Sequence, residues 1–326
     1  MPAALTNNGI NRFGGWIRDR PDLRDEPLYP PVKGQRPLQG TAIGSRGVLP
    51  ANYTGLTTRD WDALVGIYDQ RPYQSCVSCA VASVIKYRQA TDQLPNPIDP
   101  SRLFLYYNAR ALEGNAQNLA VGTGIRSAIK GLGRFGVCDE SEWDYTVDPP
   151  AHPPIPSAYG NARYRRLVSY RRIFRLDLRG NFDQLDLTPI RRSLAEKRPV
   201  ICGFTAFRSF GAAIGSGVGA IPFPSQADRS FSLPDPDPTA PANDIADRVA
   251  TFGHAAVIIG YEGEGDESGE TGTFTLANSW GRNFGVDGYF TLPAEYLANA
   301  ELASDFWTIK SLDHPDEDPS GDQQSV

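Results

Sequence analysis

The feature that most constrains this chain is a change of periodicity near its middle. Before about residue 150 the apolar residues recur as they do on helices. After it they gather into short runs rich in β-branched and aromatic residues. In the first half, residues 76–85 (CVSCAVASVI) are apolar or small on nearly every face, as a buried helix is, with Ser75 expected to cap it. Further helices are expected over 101–112 and 125–135, the second stopped by Gly136. In the second half, the Pro-rich stretch 152–156 reads as a crossover. Strands are expected over 164–170, 200–207, 255–261, 273–277 and 288–292, with one helix over 189–197 started by Thr188 as cap and Pro189. Helices followed by strands imply an α+β chain whose helical lobe and antiparallel sheet or barrel lobe meet at a cleft.

With 326 residues the chain has room for one large two-lobed body. The body is expected over residues 56–310, helical to about 150 and sheet-rich beyond. An extended, Pro/Gly/Arg-rich segment precedes it over 1–55, and an acidic tail follows over 311–326. Residues 222–250, dense in Pro and Asp, read as an insertion or lid. A net charge of −6 argues against a nucleic-acid partner, which would need a basic face. The arginines at 163, 165, 166, 171 and 172 are expected on the solvated face of a strand. No run approaches the ~18 apolar residues of a membrane helix, and the N-terminus has no secretory pattern. The four cysteines form no disulfide framework. These readings give a monomeric, cytoplasmic protein as the default, with export by a route that needs no cleaved signal as the alternative, and with no metal or other cofactor.

Chemistry is sought among the cysteines and histidines. A thiolate attacks carbonyl carbon, and a helix N-terminus or a nearby imidazolium favours it. Cys76 stands at the expected start of a helix. By position alone it is either a nucleophile or a small buried hydrophobe. Of three histidines, His152 and His314 lie in Pro-flanked, solvated contexts, whereas His254 enters an apolar run, FGHAAVIIG. Asn278, in LANSWG, could meet His254 across adjacent antiparallel strands. It would then fix the ring's tautomer, with Trp280 covering the bond. Gln70 and the backbone N–H of Cys76 could serve as donors to an oxyanion.

Taken together, these pieces resemble the papain-like cysteine peptidases, in particular a bacterial branch without disulfides. The matching segments are Gly15-Trp16-Ile17, Asp69-Gln70, Ser75-Cys76, residues 101–110, Gly136-Val137-Cys138 with Glu140 and Trp143, Gly253-His254-Ala255, and Asn278-Ser279-Trp280-Gly281. The resemblance implies hydrolysis of extended polypeptides by Cys76, His254 and Asn278, with Gln70 at the oxyanion hole. It also implies that Gly122 and Thr123 bind substrate as an added strand, Thr123 standing where the family has a second glycine. Cys79 is a rival nucleophile, but in that register Tyr73 replaces the oxyanion glutamine. An amidase or acyltransferase, or a scaffold on the same fold, is the alternative function. Part of residues 1–55 is expected either to lie along the cleft as a latency device or to wrap the body as a packing arm.

Overall fold

The computed structural model describes residues 15–20, 22, 25, 55–118, 121–145, 152–173, 187–207, 209–210, 213, 217–230, 251–263 and 272–312. Helix α1 (Thr58–Leu64) opens the body. It is followed by α2 (Cys76–Thr91), α3 (Arg102–Leu112), α4 (Ile125–Phe135) and α5 (Pro156–Ala162). Then come β1 (Leu167–Arg172), α6 (Thr188–Ala195), β2 (Val200–Phe207), α7 (Gln226–Ser230) and β3 (Thr251–Glu262). The described part ends with β4 (Thr273–Ala277), β5 (Tyr289–Pro293), α8 (Ala294–Ala298) and β6 (Ala303–Leu312). The strands form one antiparallel sheet in the order β1-β6-β2-β3-β4-β5.

The sheet is covered on both faces, and the two-residue alternation of its strands sorts side chains between two cores. Ile201, Ala255, Val257, Ile259, Trp307 and Ile309 face the helical lobe, where Val77, Val81 and Val84 of α2 and Ile125 and Ile129 of α4 meet them. Cys202, Phe204, Ile258, Leu276 and Phe290 face the other way, onto Ile190 and Leu194 of α6 and Leu297 of α8. Helix α2 is therefore central: its small side chains let it lie between α3, α4 and the sheet. Each fully buried aliphatic side chain in such a layer contributes ~1.5–3 kcal/mol. No helix among the described residues is long and apolar enough to cross a membrane.

Several local expectations need correction. Thr188 is the first residue of α6 rather than its cap; Leu187 holds the cap position and Pro189 still falls in the first turn. Ser75 gives α2 no side-chain cap, because its hydroxyl is spent on Tyr145. Residues 164–166 lie before β1, and Arg172 is buried in ion pairs rather than solvated. Helices α1 and α5 and strand β6 were not anticipated. Helix α1 is short but carries a reciprocal capping box between Thr57 and Asp60. Of the expected 222–250 insertion, 231–250 lies outside the described residues, as do His314 and the rest of the expected tail beyond 312; its first two residues, 311 and 312, belong to β6 instead.

The described N-terminal residues run as an extended strap between the lobes. The backbone N–H groups of Gly15 and Trp16 both donate to the Gly253 carbonyl, at 2.9 and 3.2 Å. Thr123 N–H donates to Gly15 O at 2.7 Å, and Ile17 N–H donates to Thr123 O at 3.1 Å, a parallel bridge. A chain of buried charges anchors the strap further along. Arg126 of α4 and Arg172 of β1 both pair with Asp25, and Arg172 also reaches Asp305 of β6 at 2.6 Å. Asp19 accepts from Trp307 Nε1 at 3.2 Å and from the Arg126 backbone.

Candidate active site

The loop before α2 is built to present its first residue. Arg102 is sandwiched between Tyr68 and Tyr145, its carbon 4.6 and 4.0 Å from their ring centroids. It pairs with Glu140 at 2.6 Å and donates to Asp69 O at 3.1 Å. Tyr145 Oη donates to Gln70 O at 2.6 Å and is in turn bonded by Ser75 Oγ. This brace holds residues 69–75 in place, so the helix begins at a defined point and Cys76 occupies it.

Cys76 is fully buried. Burial pushes its thiol up to about 12. The backbone N–H of Ala255 and those of Val77 and Cys76 lie against the sulfur and act the other way. Ala255 directly follows His254, so the thiol at the start of α2 touches the strand that carries the imidazole. Cys79, one turn later, belongs to a different environment. Its sulfur lies 3.9 Å from Ser75 Oγ, and burial raises its pKa to about 11 against the pull of Arg102.

His254 lies on β3 opposite Phe204 of β2. Strand β4 pairs with β3 through Val257 and Ala277, which delivers the next residue, Asn278, back toward His254. The contact is His254 Nε2 to Asn278 Oδ1, 2.9 Å. The same oxygen accepts Ser279 N–H at 2.8 Å, so the atom facing the ring is an acceptor and Nε2 carries the hydrogen. Nδ1 is then the basic nitrogen. Trp280 covers this pair, its ring centroid 4.7 Å from that of the imidazole, and Phe204, Phe210 and Phe252 complete an aromatic wall.

Gln70 joins the same cluster through Ser279. Ser279 Oγ donates to Gln70 Oε1 at 2.7 Å, and Gln70 N–H donates to Ser279 O at 2.7 Å. One residue therefore orients both carboxamides: its hydroxyl holds Gln70 and its backbone N–H holds Asn278. Nothing in the sequence motif assigns Ser279 this role; the one signal for it is its place between Asn278 and Trp280.

Gly122 and Thr123 sit across the cleft from Gly253. Thr123 makes both main-chain bonds to the strap. Its side chain points away, Oγ1 donating to Glu113 at 2.9 Å, so a threonine is accommodated where the family has glycine. Gly122 must be glycine while the strap is present, since a Cβ there would lie 1.6 Å from Gly15 O. At Gly253 it would lie 2.1 Å from Trp16 O. Gly253 has a role that its sequence motif does not announce: its carbonyl is the main-chain acceptor on the sheet side of the groove.

In chemical terms, the cleft holds a thiol, an oriented imidazole, a buried carboxamide next to the thiol's loop, and main-chain groups on both walls that grip an extended segment. Known proteins similar to this chain are found by sequence and by fold. A family model described as papain family cysteine protease matches residues 243–308. An uncharacterized peptidase C1-like protein of Acanthamoeba polyphaga mimivirus is 31% identical over 315 residues, covering 95% of this chain and 91% of that protein. Among solved structures, xylellain, a cysteine protease from Xylella fastidiosa, superposes with a TM-score of 0.69 at 27% identity, over 93% of this chain and 97% of that one. Procathepsin B of Trypanosoma congolense shares the fold at 15% identity, with a TM-score of 0.57 over 92% of this chain and 88% of that one.

Proposed function

The chain belongs to the papain family of cysteine peptidases, hydrolases of polypeptides, and from that premise we propose that Cys76, His254 and Asn278 are its catalytic triad and Gln70 its side-chain oxyanion donor. Cys76 loses its proton to His254 Nδ1, and the thiolate attacks the scissile carbonyl carbon. The carbonyl oxygen takes up the electron pair, and the developing charge is held by Gln70 Nε2 and the Cys76 backbone N–H. His254 returns the proton to the leaving amine as the C–N bond breaks, which leaves a thioester on Cys76. A water deprotonated by His254 then attacks the thioester and releases the acid and the thiol. Asn278 keeps the hydrogen on Nε2 throughout, so that Nδ1 exchanges the proton.

The observation that carries this reading is the His254 Nε2–Asn278 Oδ1 contact, with the Cys76 sulfur against the backbone of the very next residue, Ala255. The same geometry favours Cys76 over Cys79. An extended substrate would use the Thr123 and Gly253 main-chain groups that the strap engages. Residues 15–17 accordingly act as a latency segment: while they lie in the groove, Cys76 stays a buried thiol. When they leave, water reaches it.

The test is labelling with an epoxide inhibitor of papain-type thiols, with the adduct located by mass spectrometry, on the full chain and on a strap-weakened variant. An adduct on Cys76 that Cys76→Ala abolishes, together with peptide cleavage, is expected. An adduct on Cys79, or reaction at Cys76 with no hydrolysis of any peptide, would overturn the assignment.

A further inference from the structure

The strap does more than cover the groove, because it places a specific side chain in a specific hole. The Trp16 indole is buried against Gly203 of β2. A Cβ at Gly203 would fall 2.0 Å from Trp16 Cε2 and 2.2 Å from Nε1, so the space the ring fills exists only because this residue has no side chain. Gly203 interrupts a strand whose other residues all bear side chains, Val200–Phe207, and a glycine inside a strand marks close approach by another group.

At the nitrogen end of the ring stands Asp305. Its Oδ2 accepts Trp16 Nε1–H at 3.2 Å and Asp19 N–H at 2.7 Å, and its Oδ1 accepts Arg172 Nη2–H at 2.6 Å. Asp305 reaches this point through an irregularity in β6. Ile201 pairs with Trp307 but Gly203 pairs with Ser304, so β6 carries one extra residue there, and Asp305 adopts φ +56°. A bulge of this kind re-aims a side chain, and a positive φ at a non-glycine residue is a strained feature that the surroundings must hold.

The hole also belongs to the groove. Gly203 pairs with Ala255, and the Trp16 backbone is held by Gly253, the residues on either side of His254. Its chemistry is narrow: a flat apolar slot ending in one acceptor oxygen whose negative charge Arg172 already balances. A cationic side chain would meet that arginine. A phenyl ring would leave Oδ2 without a donor once the strap, with its Trp16 and Asp19 N–H groups, has gone.

We propose that the Gly203–Asp305 slot selects tryptophan in the substrate, and that Trp16 occupies it as a built-in pseudosubstrate residue. The proposal rests on the peptidase reading for its consequence in substrates, whereas the slot itself can be tested without catalysis. The full-length Trp16→Ala protein leaves the slot unfilled. Free indole, measured by calorimetry, should bind it at least about tenfold more tightly than indene, which has the same shape and no N–H donor; that is the scale of a hydrogen bond to a charged acceptor. Gly203→Val in the same background should abolish indole binding.

With a library of proteome-derived peptides, the same Trp16→Ala protein should cut with tryptophan enriched at one fixed position relative to the cleaved bond. Should Trp16→Ala fail to fold, Trp16→Leu carries the library experiment. Equal binding of indole and indene, or indole binding that survives Gly203→Val, overturns the slot. Cleavage with lysine, arginine or leucine at the fixed position overturns the selectivity while leaving the peptidase reading intact. Gly203-dependent indole binding with no cleavage of any peptide sinks the peptidase reading, and the claim about substrates with it.

Discussion

Truncating Trp16 should convert a latent thiol into a reactive one by an amount that the geometry bounds. In the closed chain the Trp16 side chain is only 8% exposed, and its N–H is bonded to a carboxylate. Removing a buried aromatic side chain costs ~3–5 kcal/mol, and a hydrogen bond to a charged group adds ~1.5–3 kcal/mol where the slot cannot collapse. Because the Trp16→Ala chain still keeps its backbone bond to Gly253, a loss of about 4 kcal/mol from the strap's closed state is the central expectation. At ~1.4 kcal/mol per decade this raises the open fraction by up to roughly 10³-fold, until opening saturates. The assay is the second-order rate of Cys76 alkylation by iodoacetamide, read by mass spectrometry of the Cys76 peptide. It needs no substrate, and it reports the release of a thiol that burial holds at about 12. Ile17→Ala is the control, since Ile17 is 46% exposed and should change the rate little. A Trp16→Ala protein with native circular dichroism and a rate within threefold of the parent would refute the idea that this strap gates the thiol.

Three further outcomes follow from the site. Cys76→Ala should abolish hydrolysis, while Cys79→Ala should retain most of it, since the Cys79 sulfur lies against Ser75 one turn into the helix; peptide turnover by the two variants decides it. Asn278→Ala should lower kcat by about 10²-fold with KM little changed, because the imidazole loses its tautomer lock rather than a substrate contact; steady-state kinetics on a strap-weakened background checks this. The strap should be held most tightly in acid. Burial, and then the neighbouring Asp305, raise Asp19 from 3.8 to about 7, while Arg126 from α4 and Arg172 from β1 oppose the shift; Asp25 of the strap shares both arginines. The closed state therefore takes up a proton more readily than the open one. Its extra stability is full below about pH 4, is lost as pH rises toward 7, and is flat beyond. Amide exchange at Ile17, corrected for its intrinsic rate, should speed up across that window, and Asp19→Asn should remove the slope.

Much of this protein could be read from short-range pattern. The small, apolar run at 76–85 requires a buried helix, the β-branched runs after 200 require strands, and segments such as Gly253-His254-Ala255 and Asn278-Ser279-Trp280-Gly281 carry the family chemistry in a few adjacent residues. These features are local, so the chain order itself records them. Strand β6 escaped because its bulge at Asp305 breaks the two-residue alternation that reveals a strand. Arg172 looked like a solvated charge because its partners, Asp25 and Asp305, lie 147 and 133 residues away. Ser75 looked like a cap because nothing near it in sequence announces Tyr145.

The plan of helices followed by strands and the residues of the chemical motifs were thus set by the sequence alone. Only the folded chain decided that the strap lies in the groove, that Ser279 joins Gln70 to Asn278, and that a missing Cβ on β2 makes room for an indole from near the N-terminus. The physical reason is that each of these depends on contacts between residues far apart in the chain. A glycine's empty side, a carboxylate's balancing charge and a carbonyl's spare lone pair acquire meaning only when packing brings a partner to them.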